Sequence, residues 1–165
     1  MKKSFLILAF AGFLLIGLSE IQAQTTQPKL NQVELAKQFL GNWRFDFAKD
    51  TVLYMNIEPF GTGFSIYFKT EVKNTTISEG KELYGYNSKL DKFVAASLLK
   101  GNDIALYALW FKSNTKYIGV PLSDVSNPDK AASKFEGEII SKDEVLQKDL
   151  SNGKIVLIED FKRIK

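Results

Sequence analysis

The chain contains no histidine and no cysteine among its 165 residues. The lack of cysteine excludes disulfide bonds, so the fold depends on its hydrophobic core alone. It also excludes a bacterial lipoprotein anchor, which needs a cysteine at the cleavage site. Most zinc sites, Ser-His and Cys-His catalysis and the usual haem ligand need one of these two missing residue types. We therefore predict no cofactor, no metal site and no enzymatic activity.

The chain also has little net charge. Its 22 basic and 19 acidic side chains give a formal net charge of +3. This balance predicts neither a nucleic-acid-binding surface nor strong attraction to anionic lipid. No pattern in the sequence indicates an oligomeric state.

The first residues have the pattern of a cleavable secretory signal peptide. Lys2 and Lys3 precede an apolar run over residues 5–18, which is shorter than a transmembrane helix. Ala23 then provides a small residue at the cleavage point. We expect residues 1–23 to be removed from a bacterial periplasmic or secreted protein. The remainder, 24–165, has the length of one domain and no membrane span.

A short helix is predicted over residues 30–40. Asn31 is a suitable N-cap, and Glu34 follows at the spacing of a capping box. Apolar residues recur at helical spacing, and Gly41 suits the position after the helix end.

From residue 42 onward the hydrophobic pattern has a period of two, which is typical of half-buried strands. In the clearest example, Phe64, Ile66 and Phe68 alternate with Ser65 and Lys69. The predicted strands cover residues 43–48, 51–60, 64–72, 77–86, 92–99, 103–112, 115–120, 135–141, 145–150 and 154–164. This series predicts an all-β, antiparallel, up-and-down barrel of 8–10 strands preceded by one short N-terminal helix.

Three segments resemble known β-barrel families. Gly41-Asn42-Trp43 resembles the Gly-x-Trp start of lipocalins and of the wider calycin superfamily. Residues 83–87, with the aromatic segment that follows at 92–95, and the ending 159–163 resemble a bacterial lipocalin-like family of unknown function. The resemblance implies that a basic side chain at the end of the last strand lies across the tryptophan. It therefore implies that Trp43 and Arg163 close the barrel.

The function implied by this fold is binding of a small, largely apolar molecule inside the barrel. The lining is expected to combine aromatic side chains with a few polar anchors. The predicted ligand-binding residues are Phe45, Phe47, Tyr54, Phe64, Phe68, Tyr86, Phe93, Ser97, Trp110 and Glu159. The alternative is a filled barrel that acts as a structural or protein-partner module without a ligand.

Two of these placements stay open on the sequence alone. Glu159 shares a strand face with Leu157 and Phe161, but the opposite face of that strand is also apolar. The strand that carries Trp110 is likewise apolar on both faces. Alternation therefore does not decide whether either side chain points inward.

Overall fold

The computed structural model describes residues 29–100 and 104–165. The predicted signal peptide, residues 1–23, lies outside these residues. Within them, ten antiparallel strands form a closed barrel, and a short helix precedes the first strand. The predicted fold class is therefore confirmed. In this part of the chain, no helix is long and apolar enough to cross a membrane.

Each strand pairs with its neighbours in sequence, and the last strand returns to the first. The elements are α1 (Gln32–Ala36), a 3₁₀ turn (Lys37–Phe39), β1 (Gly41–Ala48), β2 (Thr51–Phe60), β3 (Gly63–Val72), β4 (Thr75–Asn87), β5 (Lys92–Leu99), β6 (Ala105–Phe111), β7 (Lys116–Pro121), two further 3₁₀ turns (Leu122–Asp124 and Pro128–Lys130), β8 (Ser133–Ser141), β9 (Glu144–Ser151) and β10 (Lys154–Ile164). The predicted strand ends agree with these to within two residues. Turn chemistry and alternation were therefore sufficient to locate the strands.

Two polar side chains position helix α1: one caps its first turn and the other attaches it to one end of the barrel. The Asn31 side chain accepts a hydrogen bond from the Glu34 amide at 3.2 Å, as expected of the N-cap. The Glu34 carboxylate binds Lys37 at 2.7 Å and does not complete the capping box. The buried Gln32 carboxamide exchanges two hydrogen bonds, of 3.1 and 2.7 Å, with the backbone of Phe111 at the end of β6. These two bonds tie the helix to the barrel wall.

Aromatic rings fill the end of the barrel beneath this helix, which we call the closed end. The Phe39 ring stacks on Phe111 at 5.3 Å and meets the edge of Tyr117 at 5.0 Å between centroids. Phe64 lies 6.0 Å away. The Trp43 indole donates a hydrogen bond to the Phe39 carbonyl at 2.6 Å. Each such aromatic pair adds about 0.5–1.5 kcal/mol to the stabilisation from burial.

Arg163 joins β10, β1 and the helical turn at the closed end. It lies opposite Trp43 in the register of the two strands. Its guanidinium carbon is 4.2 Å from the centroid of the Trp43 ring. The same group donates hydrogen bonds to the carbonyls of Leu40, Gln38 (3.0 Å) and Lys142 (2.8 Å). One side chain thus caps the ring and satisfies three backbone acceptors.

Gly41 makes this arrangement possible. Its φ of +120° lies in a region that side chains with a Cβ rarely adopt. A Cβ atom at this position would also collide with the Arg163 guanidinium. The Gly-x-Trp pattern therefore has a physical basis here, because the glycine admits the arginine and the tryptophan receives it.

We expect Arg163→Lys to lower the free energy of unfolding by about 0.5–2 kcal/mol. Lysine keeps the charge but loses the planar stack and the forked hydrogen bonds. Urea denaturation measures the change. Arg44→Lys is the matched control, because Arg44 points outward from β1 and pairs with the exposed Asp46. A urea midpoint that is the same for Arg163→Lys and the wild type would contradict the closing role of Arg163.

Candidate functional site

A cavity of about 460 Å³ lies inside the barrel. All ten strands and the 3₁₀ turn contribute side chains to it. The opposite end from α1, which we call the open end, is lined by Leu53, Thr70, Ser78 and Leu99. These four residues are partly exposed, which indicates that the cavity reaches solvent there. An eight-stranded barrel is just wide enough to be filled by its own side chains or to hold one small ligand, and a ten-stranded barrel is wider.

Most of the lining is apolar or aromatic. The residues of this kind are Phe39, Trp43, Leu53, Met55, Ile57, Phe64, Ile66, Phe68, Tyr84, Leu99, Tyr107, Leu109, Tyr117, Phe135, Val145 and Phe161. The rings of Phe39, Phe64 and Tyr117 lie together at the closed end, so the floor of the cavity is apolar. A ligand that reaches this floor must therefore present an apolar part to it.

A polar group that we call the acidic cluster, made of Gln147, Asp149 and Glu159, lies on one wall. Glu159 on β10 is directly opposite Gln147 on β9. The Gln147 amide nitrogen donates to a Glu159 carboxylate oxygen at 2.7 Å and to an Asp149 oxygen at 3.3 Å. Its amide oxygen accepts a hydrogen bond from the Tyr117 hydroxyl at 3.1 Å. One amide thus bridges two carboxylates and is itself held by a tyrosine.

Gly137 explains how Tyr117 reaches this cluster. Tyr117 is on β7, and β8 lies between it and Gln147 on β9. Gly137 on β8 is paired with both Tyr117 and Gln147. A Cβ atom at Gly137 would overlap the Tyr117 ring, so the glycine leaves the space in which the ring crosses the strand.

Burial sets the electrostatics of the acidic cluster. Glu159 is only 7% exposed. The pKa of Glu159 is raised to about 7, mainly by burial and in addition by the nearby Asp149 carboxylate, while the Gln147 hydrogen bond opposes both effects. Burial likewise raises the pKa of Asp149 and of the Tyr117 hydroxyl. No lysine or arginine of the described segments lines the cavity.

A third carboxylate, Glu82, lies on the opposite wall. It is on β4, which is five strands from β9 around the barrel. Glu82 accepts hydrogen bonds of 2.8 Å from the Tyr84 hydroxyl and the Ser97 hydroxyl. In residues 29–100 and 104–165, no group of three or more acidic side chains is close enough to hold a metal ion. Glu82 is therefore separate from the acidic cluster on the facing wall.

Three of the predicted ligand-binding residues line the cavity: Phe64, Phe68 and Glu159. The open question about Glu159 is thus answered, because its side chain points inward. Phe45 and Phe93 are buried in the hydrophobic core but do not line the cavity.

Three other predicted ligand-binding residues, Ser97, Tyr86 and Phe47, do not line the cavity. Ser97 binds Glu82 but does not line the cavity. The Tyr86 hydroxyl donates to Asp91, outside the cavity. Phe47 is 43% exposed and packs on Phe45 at 4.5 Å.

The prediction for Tyr54 is wrong, because this ring lies on the outer surface. The Lys69 ammonium is 5.3 Å and the Arg44 guanidinium 5.9 Å from its centroid. Leu53 and Met55 occupy the inner positions of β2. Polar Asn56 shares the strand face of Tyr54 and was the signal in the sequence for an outward position.

The prediction for Trp110 is also wrong. Trp110 packs outside the barrel against a small cluster of Ile118, Val120 and Ala131. The Lys92 ammonium lies 4.4 Å from its ring. Both faces of β6 are apolar because the β7–β8 connection, which contains Ala131, covers the outer face. The pattern of apolar residues in β6 therefore could not show whether the Trp110 side chain points inward or outward.

Sequence reasoning missed most of the polar anchors. Gln147, Asp149 and Glu82 were not predicted, although each shares an inner strand face with an apolar residue. On β9, the inner position next to Gln147 is Val145, but the outer positions include Leu146 and Leu150, so the strand shows no clear polar face.

We expect Glu159→Gln to stabilise the protein, by an amount that depends on pH. Unfolded Glu159 loses its proton near pH 4.5 and folded Glu159 near pH 7. The folded chain therefore binds more protons in this interval, and the wild type loses stability as the pH rises through it. Above about pH 8, the free energy of unfolding of Glu159→Gln should exceed that of the wild type by about 1–3 kcal/mol. Below pH 4.5 the two proteins should have the same free energy of unfolding.

Urea denaturation across this pH range measures the difference. Glu136→Gln is the control, since Glu136 is exposed on the outer face of β8. A difference that does not change between pH 4.5 and 8 would contradict the inward, desolvated position of Glu159.

Comparison with protein-family models, with curated proteins and with solved structures gives no match for this chain. The functional argument therefore rests on the barrel, its cavity and the side chains that line it.

Proposed function

We propose that the protein binds a small, largely apolar molecule in the barrel cavity. The observation that carries this proposal is the volume of about 460 Å³, lined mainly by apolar side chains and reached from the open end. Protein interiors normally contain few voids larger than a water molecule. Ligand pockets span about 300–1,000 Å³ and combine apolar walls with a few polar groups.

The alternative of a filled barrel is less consistent with this geometry. Aromatic rings such as Phe39 and Phe111 fill only the closed end. Toward the open end, Thr70 and Ser78 are too small to close the space between the walls. A purely structural barrel gains nothing from leaving this volume unpacked.

A relationship to lipocalins and other calycins is part of the proposal. It is supported by the contact of Arg163 with Trp43 and by the conformation of Gly41. The resemblance implied the first of these two features. The ten-stranded up-and-down barrel is compatible with this relationship.

Export to the periplasm or the exterior of a bacterium is proposed as well. It is supported by the basic start, the apolar run over 5–18 and Ala23. N-terminal sequencing of the protein from its host should find Gln24 at or near the first position. An intact Met1 in the membrane fraction would contradict the proposal.

Ligand binding is tested with the neutral fluorescent probe N-phenyl-1-naphthylamine. We expect saturable binding with about one probe per barrel. Ser78→Phe should weaken it by about tenfold or more, because the new ring would occupy the open end of the cavity. Lys81→Phe is the matched control, since the same ring would lie on the exposed outer face of β4.

Equal binding by Ser78→Phe and Lys81→Phe would place the probe outside the cavity. Absence of saturable binding by the wild type would overturn the proposal in favour of the filled-barrel alternative.

A further inference from the structure

We propose that the ligand of this cavity is an organic amine, whose cationic nitrogen binds between Asp149 and Glu159 while its apolar part contacts the aromatic floor. The inference rests on the proposed binding function and names the chemical class of the ligand.

The first support is an oxygen atom that faces the cavity without a protein partner. Glu159 is 93% buried, and its Oε2 accepts the hydrogen bond from Gln147. No donor among residues 29–100 and 104–165 binds the other oxygen, Oε1. In the same residues, every side-chain oxygen that is fully buried has a hydrogen-bond partner, so an oxygen without a partner cannot be fully buried. Oε1 is therefore accessible from the cavity, which Glu159 lines.

The second support is the sign of the charge around the cavity. Three carboxylates line it, those of Glu82, Asp149 and Glu159, and no described lysine or arginine does. A buried carboxylate is costly unless a cation or hydrogen-bond donors compensate it. Hydroxyl and amide groups donate hydrogen bonds to these carboxylates, but no cationic side chain of the described segments balances their negative charge. An anionic ligand would meet charge of the same sign, whereas a protonated amine supplies both donors and the opposite charge.

The third support is that the acidic cluster is held in place before any ligand arrives. Gln147 directs its amide nitrogen at both carboxylates and is itself fixed by the Tyr117 hydroxyl. The two carboxylates therefore need little reorganisation to receive a cation. The apolar floor below them, which includes Phe64 and Phe161, suits a hydrocarbon or ring attached to the amine.

This arrangement makes amine binding dependent on pH. The titratable groups that line the cavity are Glu82, Tyr84, Tyr107, Tyr117, Asp149 and Glu159. Among these, burial places the pKa of Glu159 at about 7, so its carboxylate gains charge as the pH rises from 6 to 8. An alkylamine stays protonated throughout this range, like a lysine side chain. Its affinity should therefore increase with pH, and that of a neutral analogue should not.

The experiment is displacement of N-phenyl-1-naphthylamine by three ligands with the same chain: decylamine, decanol and decanoate. At about pH 8 we expect decylamine to bind at least about tenfold more tightly than decanol, and decanoate to bind most weakly. Glu159→Gln and Asp149→Asn should each reduce the advantage of decylamine by about fivefold or more. Decanol affinity should fall much less than decylamine affinity, which separates loss of charge recognition from loss of the fold.

Glu136→Gln is the matched control, because it removes the same charge from the outer face of β8. The advantage of decylamine should grow from about pH 6 to about pH 8 in the wild type and in this control, and stay level in Glu159→Gln.

Three outcomes would overturn the inference. If decanol or decanoate binds as tightly as decylamine, the cavity binds apolar chains but does not select a cation, and the proposed function stands without the inference. If Glu159→Gln and Asp149→Asn both keep the full amine preference, the cation binds elsewhere. If neither the probe nor any of the three ligands binds, the proposed function fails and the inference fails with it.

Discussion

The barrel depends on the three residue pairs that join its first and last strands. Every other pair of neighbouring strands shares at least four pairs, so this seam is the shortest ladder in the wall. A closed barrel removes exposed strand edges only if its seam holds. Arg163 strengthens the seam, because its guanidinium contacts Trp43 on β1 and donates to the carbonyls of Gln38, Leu40 and Lys142.

The cavity follows from closing only one end in this way. The helical turn places Phe39 among the rings of Phe111, Tyr117 and Phe64, which fills the closed end. No comparable element covers the open end in the described residues, where Thr70 and Ser78 leave the interior unfilled. Glycine at Gly137 then allows an aromatic ring to cross one strand and fix a polar group on the next. The aromatic rings at one end, the small side chains at the other and the glycine in β8 thus produce the floor, the opening and the position of the polar groups.

The sequence predicted the strands well because turn residues and alternation are local signals. It predicted Phe64 and Phe68 as lining residues because the opposite face of β3 is polar. It failed for Trp110 because a covering connection makes the outer face of β6 apolar as well. It left Glu159 open for the corresponding reason, since the outer face of β10 carries exposed Val156 and Ile158. Gln147 and Asp149 can be recognised as site residues only from the register of β9 and β10, which sets them beside Glu159. Register between strands cannot be inferred from the local sequence of either strand.

The acidic cluster opposes the trend of the rest of the interior. The surrounding side chains gain stability from burial, whereas the burial of Glu159 disfavours its charged form and lowers stability as the pH rises above its ordinary pKa. Gln147 reduces this cost but does not remove it, because an amide cannot neutralise two carboxylates. A glutamine or leucine at position 159 would fit a barrel that only had to fold. Local departures from folding rules tend to occur where a protein binds something. Here the departure has a definite sign, because three carboxylates line the cavity and no lysine or arginine of the described residues does. The group that would balance it is a cation that enters from the open end.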